Sequence, residues 1–421
     1  MQLFNKLGTL TKPFEPLKNG VFARLYLAQT VSLLGDAFTW VGLALISYQF
    51  GKENAAVILA SALTLRVTAF IVFSPFAGVL ADKIDRKKIL YITHFIRMVI
   101  VACFPFITDE WQIYLLVFLL NIFNAFFTPT YKAIIPHIVS KTDYRQAIGL
   151  STGTYQLLGI LGPGLAGIVT IWFGARQIFF IDAASFVIAG ILIFTLPGNQ
   201  IQGPKAVGKR LSTWQDVLKG VRLLFGNKLL QFALAIEFIS AVAGAQILVN
   251  TVAHVKSGLQ LTDKHYGIVM AFFGIGASIA AFLSGSIDKS RSRTISLITG
   301  ALFLGFAIIG ANYLSYYPLL LLWLLAGLGQ SLAEIPSETL IGETIDEHEQ
   351  GKVYGSHFAF SHLWWAIAYP IAGYLGTQYP NTNFLIGGFM TLGLLTVTVL
   401  FFRARNKNQL TFEGNPKITS M

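Results

Sequence analysis

Seven ionisable side chains stand inside stretches of otherwise apolar sequence: Asp36, Arg66, Arg97, Asp182, Glu237, Glu334 and Glu338. A charge in hydrocarbon costs about 2.5 to 3.5 kcal/mol on insertion-based scales, so each is a functional candidate by default. A carboxylate at the edge of a low-dielectric cavity can take up and give back a proton near neutral pH. One proton moving down a potential of 100 mV supplies about 2.3 kcal/mol, enough to drive a second solute if the two movements are coupled. Asp36, Glu334, Glu338 and Arg66 form the expected proton-coupling set. The other reading of Asp36 and Glu334 is a structural buried pair with Arg66 or another base. His357 and His362 could extend a proton relay or be satisfied polar groups of a helix.

A second group could hold a solute. The run FAFSHLWWAIAY contains Trp364, Trp365 and Tyr369, and Phe, Trp and Tyr make up 14% of the chain, enough to line a surface that stacks against a bulky, partly aromatic molecule. Gln29, Ser32, Gln246 and Asn250 would add uncharged hydrogen-bonding groups to the same cavity. The competing reading of each aromatic is lipid packing or an interfacial belt.

These residues need membrane helices to position them. With 54% hydrophobic and 12% charged residues and a mean hydropathy of +0.63, the chain has too little polar sequence to cover a soluble core of its size. A span takes about 20 predominantly apolar residues, which places helices near 21–50, 54–81, 88–108, 112–138, 147–173, 177–196, 229–254, 264–287, 294–312, 317–343, 353–377 and 383–402. With the N-terminus in the cytosol, 25 of the 31 Lys and Arg fall in inside segments, 4 outside and 2 within spans, so both termini are expected in the cytosol of a bacterial plasma membrane. Short basic loops at an anionic leaflet account for the net charge of +11 better than nucleic-acid binding does. At about 1.5 Å per residue, Asp36, Arg66 and Glu334 lie near the midplane and Arg97 and Glu237 in the inner third. Glu338 is one turn below Glu334 on the same face. Asp182 falls close to the outer surface, where a structural cap or interfacial group is expected.

The longest polar interruption divides the chain into an N-terminal six-helix half (1–197), a cytosolic linker with an amphipathic helix (198–228), and a C-terminal six-helix half with a cytosolic tail (229–421). Trp214, Val217, Val221 and Leu224 would make the apolar face of the linker helix. A shift of 207 residues sets Pro129 on Pro336, and one of 206 sets Asp82-Lys83 on Asp288-Lys289, as expected of parallel repeats with a site between them. The single cysteine, Cys103, has no internal disulfide partner, and the first twenty residues lack the apolar core and cleavage site of a signal peptide.

Residues 78–88, GVLADKIDRKK, match the loop signature carried between the second and third spans of the major facilitator superfamily. PTYKAIIPHIV, LGPGLAGIV and FFIDAASFVIAGI resemble its drug and siderophore exporter branch, similar to enterobactin and macrolide exporters. The pattern departs from the family at Asp85, which replaces a glycine, and in the second-half copy SIDKSRSR. The resemblance implies an all-α fold of twelve transmembrane helices in two pseudo-symmetric halves. It also implies a cytosolic gate at Gly78, Asp82, Arg86 and Lys87, facing Asp346 and Glu347, where the competing reading is a topology-setting basic loop. Gly78 lets a neighbouring helix approach, and Asp82 could accept hydrogen bonds from a helix N-terminus.

No phosphate loop, HExxH or CxxC is present, and GPGLAG at 162–167 lies mid-span with no preceding strand, so neither an enzyme nor a bound cofactor is expected. The expected activity is proton-coupled efflux of a bulky amphipathic compound, a siderophore or hydrophobic drug, by a monomer whose partners are the solute, protons and lipids. An importer or lipid transporter on the same fold, or a transport-dead sensor or scaffold, are the alternatives.

Overall fold

A computed structural model describes residues 12–140, 143–201, 213–286 and 293–405. Twelve helices of 17 to 32 residues run through them: α1 (Gly20–Gly51), α2 (Ala55–Lys83), α3 (Arg86–Cys103), α4 (Glu110–Ile138), α5 (Tyr144–Phe173), α6 (Ile178–Phe194), and, after the 14-residue linker helix α7 (Thr213–Gly226), α8 (Lys228–Ala253), α9 (Asp263–Ser286), α10 (Arg293–Ala311), α11 (Tyr316–Thr344), α12 (Glu347–Gln378) and α13 (Asn383–Arg405). By length and composition, eight stretches can cross a membrane, or nine with the pair Gly153–Gly159 and Gly164–Phe173, which is bent by 51°. That count takes Gly20–Phe73, covering α1 and the first part of α2, as one stretch, and it omits the 17-residue apolar α6 and the more polar α12. Each span must satisfy its backbone internally in hydrocarbon, which is why the apolar runs are helical throughout.

The ends are fixed by capping side chains. Asn19 accepts from the backbone N–H groups of Val21 and Phe22 at 3.0 and 3.1 Å and donates to the Ile138 carbonyl at 2.7 Å, tying the start of α1 to the end of α4. Asp85, where the sequence departs from the family glycine, caps α3 by accepting from Lys87 N–H at 2.9 Å. Asn227 caps α8 in the same way. The largest boundary difference is at α12, which begins at Glu347 rather than 353, with Asp346 as its N-cap residue. The acidic run expected as a loop is therefore the first turn of a helix, where the dipole favours negative charge.

Helices α1, α3, α5 and α6 pack together, as do α2, α3 and α4; α8 packs on α12 and α13, α10 on α11 and α13, and α9 on α11. The two groups meet along α5 against α9 and α2 against α12. On the first seam a Cβ added to Gly164 would lie 3.1 Å from the Gly274 Cα, and one added to Gly167 or Gly267 would overlap the other's carbonyl oxygen. Backbones approach this closely only where side chains are absent. On the second seam Gly373 packs over Ala56 and Ala60 at one end, and Phe70 stacks against His362 with centroids 5.8 Å apart further along. At the end away from the basic loops Tyr48 of α1 and Ser257, just after α8, share a hydrogen bond of 2.6 Å across the groups.

Candidate functional site

Asp36 meets Arg97, not Arg66. The Arg97 Nη2 lies 3.3 Å from both Asp36 carboxylate oxygens, joining α1 to α3. Arg97 is 1% exposed and its guanidinium stacks 4.0 Å above the Phe186 ring of α6, whereas the Asp36 side chain keeps 17% exposure. Asp182, expected near the surface, is fully buried beside this pair and accepts from the Thr39 hydroxyl and, at 3.1 Å, from the Ser185 hydroxyl. The expectation fails because α6 is short and recessed. Asp182 is only four residues into α6, yet it bonds to Thr39, which lies twelve residues inside the end of the 32-residue α1. Gly35 permits the approach, since a Cβ there would overlap Ser185 Oγ and Asp182 Oδ1. His94, one turn before Arg97, is also fully buried, its ring edge-on to Phe127 at 4.6 Å.

Arg66 stands over the Trp40 ring at 4.0 Å. Tyr369 of α12 lies within electrostatic reach of both Arg66 and Glu334, so α2 of one group and α11 and α12 of the other bring opposite charges toward one phenol. Gln330 donates to Glu334 at 2.5 Å. Trp365 stacks on Tyr369 at 5.3 Å, and Gly244 of α8 makes room for it, because a Cβ there would come within 2.7 Å of the indole. Gln29 and Ser32 share the α1 face of Asp36 by their spacing; the Ser32 hydroxyl donates to the Gln29 carbonyl at 3.0 Å.

Three expected cavity residues lie elsewhere. Gln246 and Asn250 are fully buried between α8, α12 and α13: the Asn250 amide donates to Gln246 Oε1 at 2.7 Å and to the Ala372 carbonyl at 3.1 Å, with Gly376 and Gly387 packed against them. Trp364 turns toward Phe238 of α8, centroids 5.1 Å apart. Both tryptophans face α8, Trp365 at Gly244 and Trp364 at Phe238. The histidines separate. His357 pairs with Glu237 at 2.8 Å, with Ser337 Oγ at 3.5 Å, while His362 stacks with Phe70 and Phe358 on the seam.

The expected gate is only partly visible: Gly78 and the side chains of Asp82, Glu338 and Glu347 lie outside the described residues, as do Trp214 and the loop at 287–292. Lys87 sits 5.4 Å over the Phe194 ring, within the first group. Asp346 is exposed at the start of α12. Glu349 pairs with Lys219 of α7 at 2.7 Å and with Lys352 at 3.1 Å, and these contacts hold its carboxyl below the usual carboxylate range. The visible partner of the acidic turn is therefore the linker helix. Trp40, His94, Thr39 and Gly35 were missed as site residues; the run GDAFTW, with a glycine beside a buried acid and a hydroxyl one turn on, carried the signal.

The Major Facilitator Superfamily profile matches residues 25–260 and 234–420. Macrolide efflux protein A of Streptococcus pyogenes is 26% identical over 299 residues, 67% of this chain and 70% of that one. The Staphyloferrin A transporter of Staphylococcus aureus (strain NCTC 8325 / PS 47) is 22% identical across 89% of this chain and 94% of its own length. A crystal structure of a bacterial homolog of the human lysosomal transporter Spinster, inward-facing and unoccupied, has the same fold at a TM-score of 0.69 and 14% identity, covering 96% and 99% of the two chains. Matched from residue 25 to residue 420 and folded as two helical groups that meet on α5–α9 and α2–α12, the chain belongs to the Major Facilitator Superfamily and is a multi-pass membrane transporter.

Proposed function

We propose that this transporter exports a bulky amphipathic compound, of the siderophore or hydrophobic-drug kind, in exchange for protons. The observation that carries the reading is the convergence of Arg66, Glu334 and Tyr369 at the interface, with Trp40 beneath the guanidinium and Trp365 beside the phenol. Aromatic faces gain affinity by apolar burial at about 25 cal/mol per Å² and by stacking, which suits large, partly aromatic solutes more than sugars. Glu334 and Asp36, on opposite halves, are the proton-exchanging carboxylates, assisted by Arg66 and by Glu338, four residues after Glu334 in sequence. The names of the macrolide efflux and staphyloferrin relatives favour the same solute class.

Alternating access follows from rocking the halves, residues 1–197 and 229–421, about the two seams while residues 198–228 connect them. The Lys and Arg bias of the loops supports a topology with both termini in the cytosol of a bacterial plasma membrane. Gly78, Asp82, Arg86 and Lys87 would close the cytosolic side against Asp346 and Glu347.

The test is proton flux in proteoliposomes under an imposed pH gradient, with a macrolide and a catecholate siderophore as probes. Either probe should drive proton movement in the native protein, and Asp36→Asn and Glu334→Gln should each abolish or strongly reduce it. Native flux in both variants removes the coupling role, and ligand-induced stabilisation by a simple sugar alone overturns the solute class.

A further inference from the structure

The cluster around Asp36 holds more than an ion pair. Two carboxylates, Asp36 and Asp182, lie within electrostatic reach of the single guanidinium of Arg97, which pairs with Asp36, in an interior where Asp182 and Arg97 have almost no exposure. With all three ionised the cluster has a net charge of −1; one added proton brings it to zero. Arg66, which stands on Trp40, also lies within electrostatic reach of Asp36, but the guanidinium that pairs with the carboxylate is that of Arg97.

The donors of Arg97 supply an independent observation. One nitrogen, Nη2, bonds to Asp36, while Nε and Nη1, both buried, have no hydrogen-bond partner among the described residues. Neither ring nitrogen of His94 has one either. A buried donor left without a partner is costly, so a purely structural pair would be expected to use the whole guanidinium fork. An Arg97 that holds one carboxylate by one nitrogen keeps donors available for a second partner. Asp182 is placed to be that partner, since it lies within electrostatic reach of both Arg97 and Asp36 and is fixed by Thr39 and Ser185.

We propose that Asp36, Arg97 and Asp182 form one proton-exchange centre inside the N-terminal half, in which the two carboxylates share a single exchangeable proton and Arg97 pairs with whichever is ionised. In the arrangement seen, Arg97 is on Asp36, and the proton belongs to Asp182. Moving the proton to Asp36 transfers the guanidinium to Asp182; no bond other than O–H and hydrogen bonds is made or broken. Asp36, the partly exposed member, is the port through which the proton enters and leaves. The charged and titratable groups facing the centre are Arg97 and His94 from α3, Arg66 from α2 and the two carboxylates from α1 and α6. This deepens the proton-coupled reading by adding Asp182 and Arg97 to it, and it is tested without any transported solute.

The experiment is infrared difference spectroscopy of the purified protein in lipid nanodiscs, following the C=O stretch of protonated carboxyl groups as pH is raised. The native protein should show a band that disappears on titration. Asp36→Asn and Asp182→Asn should each remove it, because each leaves one carboxylate matched to Arg97 and no exchangeable proton. Both variants keep the cluster charge-balanced, so both are expected to fold, as checked by monodispersity, and Asp182→Glu should restore the band. Glu53→Gln, at an exposed position just after α1, should retain it. An unchanged band in both Asn variants, or no titrating band in the native protein, overturns the proposal. Loss in only one variant reduces the centre to a single carboxyl and overturns the sharing. A band that behaves as expected beside absent proton flux would leave this centre standing and remove the coupled-transport reading instead.

Discussion

Gly167 and Gly267 meet backbone to backbone where α5 crosses α9, so closely that a methyl group on either would overlap the other's carbonyl oxygen. Overpacking typically costs about 1 to 3 kcal/mol, and here the obstacle is main chain, which cannot rotate away. Gly167→Ala and Gly267→Ala should each lower the unfolding temperature of the purified protein. The double variant should cost less than the two single effects added, since either methyl alone already separates the helices. Full additivity would mean that the residues do not share a crossing in the membrane.

The twelve helices were legible because hydrocarbon allows the backbone so few solutions that a run of about 20 apolar residues is nearly sufficient information. Asp36 was legible for a related reason, the cost of its charge. Its partner was not: choosing Arg97 over Arg66 depends on which face α3 turns toward α1, and both bases are spaced plausibly. Asp182 was placed too shallow because counting from the nearest loop assumes helices of equal reach, and α6 has 17 residues against the 32 of α1. Gln246 and Asn250 read as cavity residues by polarity alone; Gly376 and Gly387, which pull the neighbouring helices over them, are far away in sequence.

Arg66 and Trp40 offer a contact that can be measured in isolation. A guanidinium over an indole contributes about 0.5 to 2 kcal/mol, depending on desolvation. Trp40→Leu, Arg66→Met and the double variant, compared by reversible unfolding in mixed micelles, should give a coupling energy within that range. Coupling near zero would show that the stacking at 4.0 Å carries no energy, and Trp40 would lose its role in orienting Arg66.

The linker helix should release from α12 in acid. The folded state holds the Glu349 carboxyl below its ordinary value of 4.5, chiefly through the hydrogen bond from Lys219 and then that from Lys352. A depressed carboxyl contributes docking free energy that is fully present above the ordinary value and is lost as pH falls through the folded one. Spin labels at Leu218 and Ala359, in a Cys103→Ser background, should report a narrow distance near neutral pH that broadens below about 4.5. Glu349→Gln should broaden it at every pH, and high salt should act in the same direction because the pair is exposed. A distribution that ignores all three changes would mean that packing of Gly220 on the Lys352 backbone holds α7 by itself.

Glu237 and His357 make the buried pair of the second half, 2.8 Å apart and 8% and 7% exposed, with Glu237 Oε2 left without a hydrogen-bond partner among the described residues. Removing one member of such a pair typically costs about 3 to 5 kcal/mol because the other keeps its desolvated polarity, whereas replacing both by apolar groups can be nearly neutral. Glu237→Leu and His357→Leu should therefore each destabilise the protein strongly, and the double variant should be more stable than either. The same double variant should retain proton flux if the pair serves architecture and lose it if His357 relays protons. Unfolding and flux measured on the same three proteins thus separate the two roles: additive destabilisation would dissolve the pair as an energetic unit, and loss of flux in a well-folded double variant would move His357 into the transport pathway.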